Sequence, residues 1–502
     1  MASDRVTRRT LLSASAAVAA LSVAGCNSPA SSPPSERRVL KVGATLEPPT
    51  LDPTVSAAAS ISQVLLYNVY ETLIRMDSEG RLRPLLAQRW DVSDDLTRYT
   101  FTLHAGAAFA SGAPVDAAAV VASLERMRAS TVGSVRRQHE VVADVRAVDS
   151  GTVEVQLKRP SHSWLYSMAS TAGIVIDPAV TDMATRPMGS GPFAYASWAK
   201  SDRIVLTRNT AYWGTPPRFD EAVFRYYAEA NAMVAAMLAG DLDVVSNLQS
   251  PQTVSQFSDT SRYTVLEGTT TAEVVLGLNH LHPLLSNIKV RQAINHAIDQ
   301  QALIKTVWAG RGRPIGSMGS PTEPFYQDLS GTYPYDPAKA KQLLAEAGTP
   351  SLSLRLRVPT TPYATAAARF VSSQLAQVGI TAPVEELDFS GRWLPEVYTK
   401  GDYDMTIVAH AEPFDISNWA DPEYYWHYSN PTFSTLLAQA DMGTQEEYVA
   451  KMRQAAQVLA TDAAAVFLFL MPNLVVTKST ISGVSANAAT LSFDLTTVAS
   501  SR

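Results

Sequence analysis

The chain has 502 residues, too many for one hydrophobic core and enough for about three domains. Hydrophobic residues make up 46% and charged ones 18%, and no segment after the first 25 residues is apolar enough over ~20 positions to span a bilayer. The 41 Lys+Arg against 47 Asp+Glu leave a net charge of −6 without basic runs, which excludes nucleic acid as the expected partner.

In chain order, the first predicted element is a secretion signal at 1–25. Twin arginines in Thr7-Arg8-Arg9-Thr10-Leu11-Leu12 precede a short apolar stretch, 11–23, and small residues before Cys26. The arginine pair fits the twin-arginine export route. Val23-Ala24-Gly25-Cys26 resembles a bacterial lipobox, in which the cysteine takes a lipid and becomes the mature N-terminus. Loss of 1–25 removes Arg5, Arg8, Arg9 and Asp4, leaving −8. Cys26 is the only cysteine, so its lipidation leaves no thiol for disulfides, metal binding or nucleophilic catalysis. The Pro/Ser-rich stretch from Asn27 to Ser35, within a tether at 26–38, stays extended and holds the folded body away from the membrane surface.

Folding begins near Val39, where Leu40-Lys41-Val42-Gly43-Ala44 reads as a first strand. Residues 98–103 and 152–157 read as strands with a helix at 116–127 between them. Strands follow at 204–206, 222–227 and 242–245, with a helix at 231–239 that ends on Gly240. A helical stripe covers 287–308. Asp336-Pro337 opens a helix with a capping carboxylate and a first-turn proline, and Gly348 closes it. Residues 351–358 alternate strictly, Leu352, Leu354, Leu356 and Val358 on one face, which predicts a strand with one buried side. A helix at 364–378, a strand at 380–387 and a short apolar run at 403–409 complete a succession of helices and strands that predicts a mixed α/β protein of two or three lobes.

Hydrolase and nucleotide motifs are missing: no G-x-S-x-G, no H-E-x-x-H and no P-loop. His280 and His282 stand at i, i+2, two ligands of the three or four a metal needs, so no metal site and no cofactor are expected. An exported enzyme would need a nucleophile–base pair or a metal cluster, and neither is visible.

Several segments in order resemble a known family. They are Glu47-Pro48-Pro49-Thr50-Leu51-Asp52-Pro53, Asn68-Val69-Tyr70-Glu71-Thr72-Leu73, Pro84-Leu85-Leu86-Ala87 with Trp90, and Gly189-Ser190-Gly191-Pro192-Phe193. Asn209-Thr210-Ala211-Tyr212-Trp213, Gly240-Asp241-Leu242-Asp243-Val244, Val290-Arg291-Gln292-Ala293-Ile294 and Ala297-Ile298-Asp299 follow. Together they resemble the bacterial extracellular solute-binding proteins of family 5, the oligopeptide-, dipeptide- and nickel-binding lipoproteins of ABC importers. The resemblance implies a two-lobed, periplasmic-binding-protein-like fold with a hinge, the first lobe carrying an extra α+β subdomain. By position, 39–59, 187–273 and 475–502 form the core of lobe 1, 60–186 its extra subdomain and 274–474 lobe 2. The implied function is capture without chemistry by a lipid-anchored monomer outside the cell membrane. It encloses a peptide between its lobes and delivers it to permease subunits driven by cytoplasmic ATPases.

The same resemblance implies where the ligand sits. Peptide-binding relatives hold the peptide's α-ammonium with an aspartate in a short motif that here reads Asn418-Trp419-Ala420-Asp421-Pro422, so Asn418 stands at the ammonium position without a charge. Asp415, three residues earlier, is the alternative source of that charge. Ile416 lies where relatives offer backbone hydrogen bonds, Trp419 and Tyr424 belong to the aromatic-rich loop, and Ala58, Ala59 and Ser60 fall where relatives pair with peptide main chain. A nickel complex held by His410 and His427, a sugar or other small organic solute, and a non-transporting scaffold with a filled cleft are the alternatives.

Overall fold

The computed structural model describes residues 37–56, 58–412 and 414–501, with only the backbone of Ser390; the expected signal at 1–25, Cys26 and all of the expected tether but Arg37 and Arg38 lie outside the described residues. A ten-stranded mixed sheet runs through the body in the order Phe193–Ala199, Arg203–Arg208, Glu221–Tyr226, Val39–Ala44, Val244–Val245, Ala465–Lys478, Tyr263–Leu278, Met405–His410, Leu356–Pro359 and Val384–Leu387. Two of these strands are exceptionally long, 16 residues for Tyr263–Leu278 and 14 for Ala465–Lys478, and they pair antiparallel. Their register is continuous from Tyr263 with Lys478 to Thr269 with Pro472, breaks, and resumes at Glu273 with Leu470. A register break re-aims a strand pair without cutting it. These two strands are the segments that cross between the lobes.

Each side of the break has its own core. One cluster gathers Leu40, Val42, Phe101, Trp164, Phe193, Phe224 and, from the C-terminal tail, Leu495 and Val498. Beyond the break, Val274, Leu276, Ile294, Leu356 and Leu468 pack on one face of the sheet, and Val275, Trp419, Trp426 and Phe467 on the other. Alternate residues of the crossing strand thus feed opposite layers, as the pleat requires. The first lobe also carries a four-stranded antiparallel sheet, Ala87–Val92, Arg98–Leu103, Thr152–Leu157 and Val142–Asp149, in that order. Tyr99, Phe101 and Leu103 alternate inward with Val153, Val155 and Leu157, and the helix Ala117–Arg128, capped by Asp116 on the Ala119 amide at 2.9 Å, packs against Val142–Asp149.

Several motif residues have a mechanical role. A Cβ on Gly189 would lie 2.1 Å from the Val69 carbonyl oxygen and one on Gly191 2.4 Å from that of Asn68, so the Gly189–Phe193 turn fits only because two side chains are missing. Glu71 accepts from Ser190 Oγ at 2.8 Å, Tyr212 Oη at 2.8 Å and Trp213 Nε1 at 3.0 Å, binding three of the motif segments into one buried junction.

Two elements differ from expectation. The 351–358 run is not one strand but Leu352–Ser353 and Leu356–Pro359, the second buried on both faces. Arg357, read as solvent-facing, is 4% exposed and pairs with Glu385 at 2.8 Å, Glu396 at 2.5 Å and Asp402 at 3.0 Å. The helical stripe at 287–308 is two helices, Ile288–His296 and Gln300–Val307, because Asp299 caps the second on the Ala302 amide at 3.0 Å.

Candidate functional site

A cavity of about 680 Å³ lies between the lobes. Its first-lobe wall comes from the extra subdomain and includes Ser134, Arg137, Lys158, Tyr166 and Thr171; its second-lobe wall is the loop after strand Met405–His410, with Glu412, Phe414, Asp415, Ser417 and Asn418. Such a volume suits a small organic ligand. The two walls differ in charge: the first-lobe wall carries Arg137, Lys158 and Arg159 with one carboxylate, Glu140, and the second-lobe wall carries Glu412, Asp415 and Asp441 without a cation.

The carboxylate side is built around Asp415. Asp415 opens the short helical turn Asp415–Ala420, and Phe414 before it is held at φ 63° in the left-handed region. A bulky residue there is strained and persists only where its surroundings fix it. Phe414 is fixed by its amide donating to Glu323 Oε1 at 2.8 Å and by ring contacts with Tyr166 of the first lobe at 4.8 Å and Phe325 at 6.3 Å. The Asp415 side chain is 9% exposed; Oδ1 accepts from Asn418 Nδ2 at 2.7 Å and Oδ2 meets His410 Nδ1 at 3.1 Å. A carboxylate only accepts, so Nδ1 carries the proton; Nε2 lies 3.0 Å from the Tyr425 hydroxyl, which is free to donate to it. Both oxygens keep lone pairs directed away from these donors. The Asn418 amide is thus engaged with the carboxylate three residues earlier, which it helps to orient.

Three more acids surround Asp415. Burial, with the Asp415 charge adding, pushes the Glu323 carboxyl up to about 7 against the opposing amide bonds from Ser320 and Phe414. Burial and then the charges of Glu323 and Asp415 raise Glu273 well above the usual range, and its Oε2 has no hydrogen-bond partner among the described residues. Loss of hydration and then Asp415 raise Glu412, opposed by His410 and by Arg137 across the cleft. Arg137 makes no hydrogen bond or salt bridge through its guanidinium among the described residues, whereas Lys158 donates to the Glu140 carbonyl at 2.8 Å and Arg159 pairs with Asp441 at 2.7 Å.

A carboxyl whose folded value exceeds its unfolded one stabilises the fold fully below the unfolded value and loses that contribution as pH rises to the folded one. Glu323 and Glu71, the latter raised to about 7 chiefly by burial, both act this way. The expected result is a melting temperature that falls between pH 5 and pH 7.5, with a shallower fall in Glu323→Gln; differential scanning fluorimetry across that range checks it, and parallel slopes would contradict it.

Of the residues read from sequence, the structure brings Asp415 and Asn418 to the cavity. Ile416 and Trp419 are 1% exposed and face the core, Trp419 stacked on Trp426 at 3.8 Å. Tyr424 packs edge-on against Tyr398 at 5.6 Å, within the aromatic layer. Ala58 and Ala59 begin a helix of the first lobe, and Ser60 donates to the Glu47 carbonyl at 3.3 Å; none of the three lines the cavity. Ile416, Trp419 and Tyr424 were expected in the site as members of the aromatic-rich loop, and packing of their apolar surface turns them elsewhere; Ala58, Ala59 and Ser60 were expected there from the resemblance. His410 and His427 do not converge: His427 Nδ1 lies 3.2 Å from the Pro422 carbonyl and His410 is held between Asp415 and Tyr425. His280 Nε2 lies 2.8 Å from the Ala464 carbonyl, and no cluster of three metal-binding side chains exists among the described residues. Arg137 and Glu412 were not legible beforehand; only their position near the motif in space connects them.

Two lobes joined by paired strands around a charged cleft define a solute-binding protein. The chain belongs to the family described as bacterial extracellular solute-binding proteins, family 5 Middle, which matches residues 81–434. It is 30% identical over 369 residues to the glutathione-binding protein GsiB of Salmonella paratyphi A, covering 71% of each chain. NikA from Brucella suis in complex with Fe(III)-EDTA superposes with a TM-score of 0.81 at 22% identity, covering 92% of this chain and 99% of that one. DppA from Helicobacter pylori in complex with the peptide STSA superposes at 0.77 and 23% identity, covering 93% and 99%. The family is one of extracytoplasmic binding proteins of ABC importers, for peptides or related solutes, and not of enzymes. No helix among the described residues is long and apolar enough to cross a membrane.

Proposed function

We propose that the ligand is a short peptide or peptide-like zwitterion, its ammonium at Asp415 and Glu412 and a carboxylate at Arg137. The observation that carries this reading is the opposition of charge across the cleft: Glu412 and Asp415 belong to the second lobe, whose wall has no cation, and the Arg137 guanidinium to the first, where three cations face one carboxylate, Glu140. A ligand shifts a two-state equilibrium only through contacts that differ between the states, and a zwitterion spanning the cleft gains both ends only when the lobes are closed. Glutathione, named for the GsiB relatives, is a tripeptide of this charge type. The open cavity disfavours the scaffold alternative, whose cleft would be filled.

The lobe boundaries at 39–59, 187–273 and 475–502, 60–186, and 274–474 are part of the proposal, supported by the separate cores. So are export through the twin-arginine signal, lipid anchoring through Cys26, monomeric function and delivery to a permease. Native mass spectrometry of the purified protein tests the ligand: released short peptides or glutathione support it, and a single solute lacking either charge overturns it. Cys26→Ser is expected to move the protein from the membrane fraction to the soluble one, read by fractionation; retention on membranes contradicts the anchor.

A further inference from the structure

Asp441 is the last residue of the helix Pro431–Asp441, whose Phe433 and Ala440 belong to the second-lobe core. Every hydrogen bond of its carboxylate goes to the other lobe. Oδ1 accepts from the Ser163 amide at 2.9 Å and from Ser163 Oγ at 2.6 Å; Ser161 Oγ lies 3.0 Å from both oxygens; Oδ2 accepts from Arg159 Nη1 at 2.7 Å. Ser161 and Ser163 open the short helix His162–Ser167, whose Trp164 and Tyr166 belong to the first-lobe core. Beside this contact His162 Nε2 donates to Gln445 Oε1 at 2.7 Å, and its ring stacks on Tyr448 at 4.4 Å.

The position is unfavourable for the helix that carries it. A negative side chain at a helix C-terminus faces the negative end of the backbone dipole, and no cationic residue in that last turn offsets it. The carboxylate is matched only when the first lobe presents Arg159, two hydroxyls and an amide to it. Charge-assisted hydrogen bonds of this kind are about twice as strong as neutral ones. Arg159, Ser161, Ser163 and Asp441 also line the ligand cavity, so the contact closes one side of it.

We infer that Asp441 is an interlobe latch: with Arg159, Ser161 and Ser163 it holds the closed form in the absence of ligand and sets how much of the protein is closed before capture. It is a positioning residue that acts on affinity through the closed fraction, since the apparent dissociation constant scales inversely with the competent population. The inference rests on the cleft being the ligand site, but its test needs no ligand.

Spin labels on Val148→Cys in the first lobe and Leu281→Cys in the second, both exposed, in a Cys26→Ser background report the interlobe distance by double electron–electron resonance. The ligand-free protein is expected to show a closed population, and Asp441→Asn to lower its closed-to-open ratio at least tenfold. Arg159→Ala, at an exposed side chain, is expected to lower it in the same direction with an unchanged melting temperature. A ligand-free protein that is already open, or variants with the unaltered distance distribution, would overturn the latch. A latch effect in a protein that releases no zwitterion would leave the latch standing and refute only the peptide reading.

Discussion

Trp419→Ala is expected to destabilise the ligand-free protein by about 3–5 kcal/mol, the range for deleting a buried large aromatic. The indole is 1% exposed and stacks on Trp426 with ring centroids 3.8 Å apart at 12°, with Tyr428 at 5.6 Å and Phe467 at 5.8 Å against its other sides. Phe467 lies on the crossing strand Ala465–Lys478, so the cavity left by alanine would open directly beside a segment that joins the lobes. Trp426, the ring stacked on Trp419, packs directly over Gly277, where a Cβ would lie 2.7 Å from its Nε1. Trp419→Phe is expected to lose less than half as much, since it keeps a stacked ring and removes an indole N–H that has no partner among the described residues. Urea unfolding measures both. A loss below about 1 kcal/mol for alanine would mean that the ring lies in the cleft rather than the core.

This residue also shows what could be read from sequence and what could not. The strand-like runs 98–103 and 152–157 match Arg98–Leu103 and Thr152–Leu157 to the residue, because the pattern of a half-buried strand is a local property. Asp336-Pro337 located Pro337–Glu346 for the same reason: a capping carboxylate, here on the Lys339 amide at 2.9 Å, and a first-turn proline act within one turn. Arg357 failed because its burial depends on Glu385, Glu396 and Asp402, 28 to 45 residues away, which alternation cannot register. The loop at 415–424 was found by its motif, yet an aromatic residue in a motif carries no information about which face it turns to. Trp419 and Asp415 lie four residues apart and point to opposite layers, one to the core and one to the cleft. Arg137 and Asp441 had no local signal at all, since each matters only through what the closed lobes bring opposite it.

Asp415→Asn is expected to weaken binding of a zwitterionic peptide by thirty- to a hundredfold, about 2–3 kcal/mol, as for loss of one charge from a desolvated, hydrogen-bonded pair. The side chain keeps its size and one acceptor for Asn418 or His410, so the loss reads the charge and not a cavity. Isothermal titration calorimetry with a peptide that binds the unaltered protein checks it. An N-acetylated form of the same peptide, which lacks the ammonium, is expected to bind both proteins equally weakly, and Arg137→Gln to weaken the free acid but not the amide. Unchanged affinity in Asp415→Asn would remove it from the site. The same substitution is expected to leave the melting temperature unchanged or raise it at neutral pH, because Asp415 is one of the charges that raise Glu273, Glu323 and Glu412. Three acids crowded around the Asp415 carboxylate make a poor arrangement for the empty fold. A residue whose removal relieves the protein and costs it its ligand is one held in place for binding, and an incoming ammonium is the charge that would resolve the crowding.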